Sequence, residues 1–169
     1  KALMTLYDED DFCVNLMFAF KIKGRFDKDK FENILQEIIK NNDAFRFKFY
    51  RDKKNNKIYQ YIDNKVEYTL DERKTTGDTY DEKYNDIKIQ VKNILGNVKC
   101  LSDEFMWNFI LFDIDKDESI FYVRMNHLIC DGVTIVAVLS IIFSLYNGTQ
   151  IRRSLEFSDF LKEQEAFEN

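Results

Sequence analysis

Between Ser119 and Tyr146 two apolar runs follow one another, parted only by Asn126 to Gly132. The first, Ser119 to Met125, is strand-like. The second, Val133 to Tyr146, is apolar nearly all round, and Asn147-Gly148 supplies its stop. A helix that is greasy on every side is expected to be buried, and a strand feeding it needs a sheet. Any fold open to this chain must therefore bring the end of a sheet against a buried helix. The link between them is polar where it matters: Asn126, His127, Asp131 and Gly132 lie within it, and His127 is the only histidine in the sequence. Polar side chains between two apolar elements are either well paired or functional.

The remaining elements follow from periodicity. Val14 to Lys23 is a strand with Leu16, Phe18, Phe20 and Ile22 on one face; Met17 and Ala19 make the other face partly apolar, which suits the middle of a covered sheet. Asp27 can cap a helix whose Phe31, Ile34, Leu35, Ile38 and Ile39 share one side, ending at Asn41-Asn42. Phe45 to Tyr50 alternates, with Phe45, Phe47 and Phe49 one way and Arg46, Lys48 and Tyr50 the other. Arg51 to Lys57 reads as a charged hairpin loop. Ile58 to Ile62 and Lys65 to Leu70 read as short strands, and Asp71 to Thr79 as a polar loop. Tyr80 to Leu95 is expected to be helical, with Tyr84, Ile87, Val91, Ile94 and Leu95 on one face. Trp107 to Ile114 and Ser119 to Met125 form a hairpin around residues 115–118, and Ser158 or Asp159 opens a last helix to Phe167. Strands and helices are interspersed, so the class is α/β, a mixed sheet covered by helices.

Composition narrows the function classes. The 169 residues suffice for one core, and 45% hydrophobic with 33% charged residues is a globular balance. A net charge of −5 without a long basic block argues against a nucleic-acid ligand. The apolar run from Val133 is too short to span a bilayer, so no membrane is expected as partner. Three cysteines, Cys13, Cys100 and Cys130, without C-x-x-C spacing fit a reducing cytoplasm. They give no zinc spacing with a single histidine, so no metal is expected. Cys130 has two readings, a nucleophile paired with His127 or a small buried hydrophobe. No P-loop, nucleophile elbow or dinucleotide-binding glycine pattern is present.

The order strand, N-H-x-x-x-D-G, buried helix resembles the H-H-x-x-x-D-G signature of the chloramphenicol acetyltransferase-like superfamily, which includes the condensation domains of nonribosomal peptide synthetases. Two further stretches agree with it. Lys40 to Phe49 resembles the condensation-domain R-H-E-x-L-R-T-x-F motif at a helix-to-strand junction, retaining an acid at Asp43, the arginine at Arg46 and the final Phe49. Glu156-Phe157-Ser158-Asp159-Phe160 resembles the family's Y-x-D-Y motif. The departures are Asn126 in place of the first histidine, Asn41-Asn42 in place of R-H, and a degenerate N-terminal motif near Lys1 to Tyr7.

The resemblance implies a chloramphenicol acetyltransferase-like two-layer sandwich. Residues 1–169 would form the N-terminal lobe of a condensation domain whose C-terminal lobe is absent from this chain. It implies amide formation between an acyl or peptidyl thioester and an amine, both delivered on phosphopantetheine arms of upstream and downstream carrier proteins, with no cofactor bound directly. His127 would orient the amine or take its proton, imidazole being the side chain that exchanges protons near neutral pH. The Gly132 N–H would polarise the thioester carbonyl. Asp131 would be structural, with Arg46 as its ion-pair partner. Asn126 would stand in as a hydrogen-bonding spacer or mark a drift from catalysis. The lone lobe is expected to be inactive. The other readings are a trimeric acyltransferase using acyl-CoA and a non-catalytic carrier-binding module.

Overall fold

The computed structural model describes residues 15–98 and 103–149. The elements in order are β1 (Asn15–Lys23), α1 (Lys28–Asn41), a 3-10 turn (Asp43–Arg46), β2 (Phe47–Asp52), β3 (Lys57–Ile62), β4 (Asp71–Lys74), α2 (Tyr80–Gly96), β5 (Trp107–Asp115), β6 (Glu118–Asn126) and α3 (Gly132–Tyr146). The expected helix from Ser158, the match at 156–160 and the N-terminal motif at 1–7 lie outside the described residues.

Four strands form a mixed sheet in the order β1-β6-β5-β4, and β2 and β3 form a separate hairpin. β5 and β6 are the expected hairpin, with Ile110 opposite Tyr122 and Phe112 opposite Ile120. Because successive side chains point to opposite faces, this pair feeds two cores. Phe109, Leu111, Phe121, Val123 and Met125 pack with Phe31, Leu35 and Ile39 of α1, Ile135, Leu139 and Ile142 of α3, and Phe45, Phe47 and Phe49 beside the hairpin. Ile110, Phe112, Ile114, Ile120 and Tyr122 face the other way and pack with Ile87 of α2. Helices therefore cover both faces.

Caps form where the side chains allow them. Asp27 accepts from the Lys30 N–H at the start of α1. Thr79 and Glu82 form a reciprocal capping box on α2. Asn42 ends α1, and the chain tightens at once into the 3-10 turn before β2.

Four expectations need correction. β1 is at the end of the strand order among the described residues, not in its middle; Leu16, Phe18, Phe20 and Ile22 pack on the first core, while Met17 on the second face stays 47% exposed. The strand expected over 65–70 does not form, and β4 lies where a polar loop was expected, pairing parallel to β5 with Asp71 opposite Ile110. Four charged residues carry no apolar period, so β4 is set by tertiary anchors: the Tyr68 hydroxyl donates to the Phe109 carbonyl, and the Leu70 N–H donates to Glu32. Asp43 to Arg46 is a turn, so the strand expected from Phe45 starts at Phe47. Lastly, α3 is not buried all round. Ile135, Leu139 and Ile142 are buried, but Val133 is 80% and Val136 56% exposed, because α3 packs on one side only, against α1 and the sheet. Among the described residues no helix is long and apolar enough to cross a membrane.

Candidate active site

The link between β6 and α3 is a turn anchored at both ends. Asn126, the last residue of β6, is 1% exposed. Its side-chain oxygen accepts from the Leu128 N–H at 2.9 Å, its side-chain nitrogen donates to Asn15 Oδ1 at 3.4 Å, and its backbone N–H donates to the Met106 carbonyl at 2.7 Å. The Asn126 carbonyl in turn accepts from the Ile129 N–H and from Cys130 Sγ. An Asn side chain that bonds the backbone two residues on closes an Asx turn. Asn126 is thus the buried post of the loop, and it faces the protein interior.

Behind that post lies a polar cluster within the sheet. Arg124 is 3% exposed. Its Nε donates to Asn108 Oδ1 at 2.6 Å and its Nη1 to the same Asn15 Oδ1 at 2.9 Å. Neither Asn15, Asn108 nor Arg124 is singled out by motif. The signal for Arg124 is a lone cation inside an otherwise apolar strand, Ile120 to Met125.

His127 begins the exposed side of the turn and is half-buried. Leu128 packs partly against the first core, and Ile129 and Cys130 are buried in it, which pins the loop from below. Burial pushes the Cys130 thiol up to about 11, so it is a neutral thiol at neutral pH and behaves as the small hydrophobe of the two readings. Among the described residues no three His, Cys, Asp or Glu side chains gather as metal ligands.

Asp131 is exposed and is the N-cap of α3; its Oδ1 accepts from the Thr134 N–H at 2.7 Å. That backbone hydrogen bond holds the Asp131 carboxyl below the usual carboxylate range. The expected Arg46–Asp131 pair is not made. Arg46 Nη2 donates to Asp43, three residues earlier, and Nη1 to Asn64 Oδ1 at 2.7 Å. The reason is local: in a 3-10 turn the side chains at i and i+3 eclipse, so Asp43 and Arg46 meet without help from the rest of the fold. Asp43 is 6% exposed, so this is the more buried of the two carboxylates.

Gly132 opens α3, and a Cβ built on it meets nothing within 4 Å. Protein packing therefore does not demand glycine here. What its absence of side chain leaves is open space beside the first N–H groups of a helix, which lack partners within the helix and favour negative charge. The same short turn thus carries a half-exposed imidazole at one end and a helix N-terminus with clear access at the other. An imidazole that can accept a proton, beside N–H groups aimed at developing negative charge, is suited to acyl transfer.

The chain resembles known proteins over most of its length. The condensation-domain family model matches residues 3–169. Bacitracin synthase 3 of Bacillus licheniformis is 27% identical over 160 residues, which is 90% of this chain and 2% of that protein. Gramicidin S synthase 2 of Aneurinibacillus migulanus is 24% identical over 152 residues, 86% of this chain and 3% of that protein. This chain therefore spans only a few per cent of these relatives. Among solved structures, the starter condensation domain of rhizomide synthetase superposes with a TM-score of 0.76 at 15% identity, over 94% of this chain and 41% of that chain. The condensation domain of the monacolin K polyketide synthase superposes with a TM-score of 0.72 at 16% identity, over 91% and 34%.

Proposed function

This chain belongs to the condensation-domain family, and on that premise we propose that it is the N-terminal lobe of a nonribosomal peptide synthetase condensation domain. Joined by its C-terminal lobe, it forms an amide between an acyl or peptidyl thioester and an amine, each carried on the phosphopantetheine arm of an upstream or downstream carrier protein. In the reaction the amine nitrogen attacks the thioester carbon, the carbon–sulfur bond breaks, and the amine proton passes by way of His127 to the leaving thiolate. His127 orients the amine and accepts that proton. The Gly132 N–H donates to the carbonyl oxygen as negative charge builds on it. No bound cofactor enters the step.

The observation that carries the reading is the built turn: Asn126 buried as its post, Ile129 and Cys130 pinned in the core, His127 half-exposed and the α3 N-terminus open. Asn126 does not weigh against catalysis, because its amide is spent on the Leu128 N–H and Asn15 inside the protein. Two facts support a second lobe. The superposed condensation-domain chains extend well beyond the part this chain covers, and the nearly all-apolar helix α3 leaves Val133 and Val136 bare next to the site.

The test is a condensation assay with loaded carrier proteins on the synthetase carrying both lobes. His127→Ala is expected to lower the rate of amide formation by roughly 10²–10⁴-fold, the range for loss of a positioned acid–base group, with the carriers still binding. An unchanged rate in His127→Ala would remove His127 from the chemistry.

A further inference from the structure

Arg124 is the most deeply buried charged residue among the described residues, and no carboxylate bonds it. Its two hydrogen-bond partners, Asn108 Oδ1 and Asn15 Oδ1, are neutral amides. A buried guanidinium without an anion is costly, and burial alone pulls its pKa down. Cations that are only partly buried are treated differently: Arg46 has Asp43 and Lys48 has Asp63.

Arg124 also lines a cavity of about 780 Å³ together with Asn108, Trp107, Phe105, Lys48 and Arg73, among others. The space lies between the C-terminal end of α2 and the sheet, and none of Asn126 to Gly132 lines it. Of the two acids on its rim, Asp103 already accepts from the Tyr61 hydroxyl. Glu104 is exposed, and its charge reaches Arg124 without bonding it. The cavity therefore presents a buried, pre-oriented guanidinium with aromatic surface beside it, while the other two cations of its wall, Lys48 and Arg73, are already paired with Asp63 and Asp71.

We propose that this cavity binds the oxyanion of a small molecule, a carboxylate or phosphate group, with Arg124 as the anchoring residue. A planar fork held by two amides is suited to a bidentate oxyanion. Asn108 and Asn15 fix its orientation before the ligand arrives, so little ordering is left for binding to offset. This site is separate from the one proposed for acyl transfer.

The probes are inorganic phosphate and acetate, each titrated at constant ionic strength into the intact protein and followed by the broadening of the ligand's own NMR signal. The wild type is expected to bind at least one of them saturably, and the anion that binds decides between phosphate and carboxylate. Arg124→Gln, checked for native circular dichroism, is expected to weaken binding at least tenfold, and Arg124→Lys, which keeps charge but not the fork, to fall between. Glu104→Gln, exposed on the rim and outside the fold's core, is expected to tighten binding severalfold by removing a repelling charge. No saturable binding of either anion by the wild type overturns the proposal. So does equal binding by a folded Arg124→Gln, or weaker binding by Glu104→Gln. Were Arg124→Gln not to fold, Arg124→Lys and Glu104→Gln decide the matter. His127→Ala, by contrast, leaves anion binding unchanged, so failure here and failure of the acyl-transfer reading are told apart.

Discussion

Two carboxylates compete for Arg46, and distance along the chain decides between them. The alternation of Phe45, Phe47 and Phe49 tells which way Arg46 points, but it cannot tell which acid lies there. That choice rests on Asp43 and Arg46 falling in one 3-10 turn, a tightening with no apolar period to announce it. The consequence is an ordering of stabilities. Asp43→Ala leaves a largely buried guanidinium with Asn64 alone and is expected to cost about 3–5 kcal/mol. Asp131→Ala removes an exposed cap and is expected to cost less. Denaturant unfolding of the two variants checks this, and the reverse order would restore the Arg46–Asp131 pairing. The cap also has a pH signature. The folded pKa of Asp131 is lowered by the Thr134 N–H, so its contribution is complete above the unfolded value of about 3.9 and is lost as pH falls through the lower folded value. Asp131→Asn is expected to lose that acid limb in a melting curve taken from neutral to low pH.

At the scale of elements, patterning located α1 and α2, because each buries one face and writes that face into the sequence, and it located the β5–β6 hairpin as two apolar runs, buried on both faces, around a charged turn. It failed where burial is not the cause. β4 is all charge and is ordered by pairing with β5, and β1 is greasy on both faces yet exposes one. α3 is the instructive case. Its composition is nearly all apolar, so sequence alone says that it is inside, but among the described residues only Ile135, Leu139 and Ile142 of it are fully buried. The two sides should respond differently to truncation. Ile135→Ala opens a cavity against α1 and the sheet and is expected to cost about 2–5 kcal/mol. Val136→Ala removes a side chain that is 56% exposed and is expected to cost about 0.5 kcal/mol or less in this lobe alone. Similar losses from both, measured by chemical unfolding, would mean that something already covers the outer side of α3.

For the whole molecule, the sheet is closed by helices on both faces, yet the candidate catalytic turn stands at one end of it, with His127 half-exposed and the bare first turn of α3 alongside. Water at that edge weakens every electrostatic interaction an acyl transfer would use, since attraction between charges falls with the surrounding dielectric. A second body seated there would do two things at once: bury the valines of α3 and dry the space between the imidazole and the Gly132 N–H. Stability and activity at this edge are then coupled through one surface. Hydroxyl-radical footprinting of Val133 and Val136, in the lobe alone and joined to a C-terminal lobe, measures the first effect. Labelling at both is expected to fall severalfold on joining, while Met17, on the face of β1 turned away from α3, keeps its labelling. A Val136→Lys variant is expected to restore labelling at Val133 in the joined protein and to lower the condensation rate with it, because a buried lysine opposite an apolar surface opposes closure. If Val133 is labelled equally in both forms, the lobes do not meet on α3, and the dry site has to be built from another face.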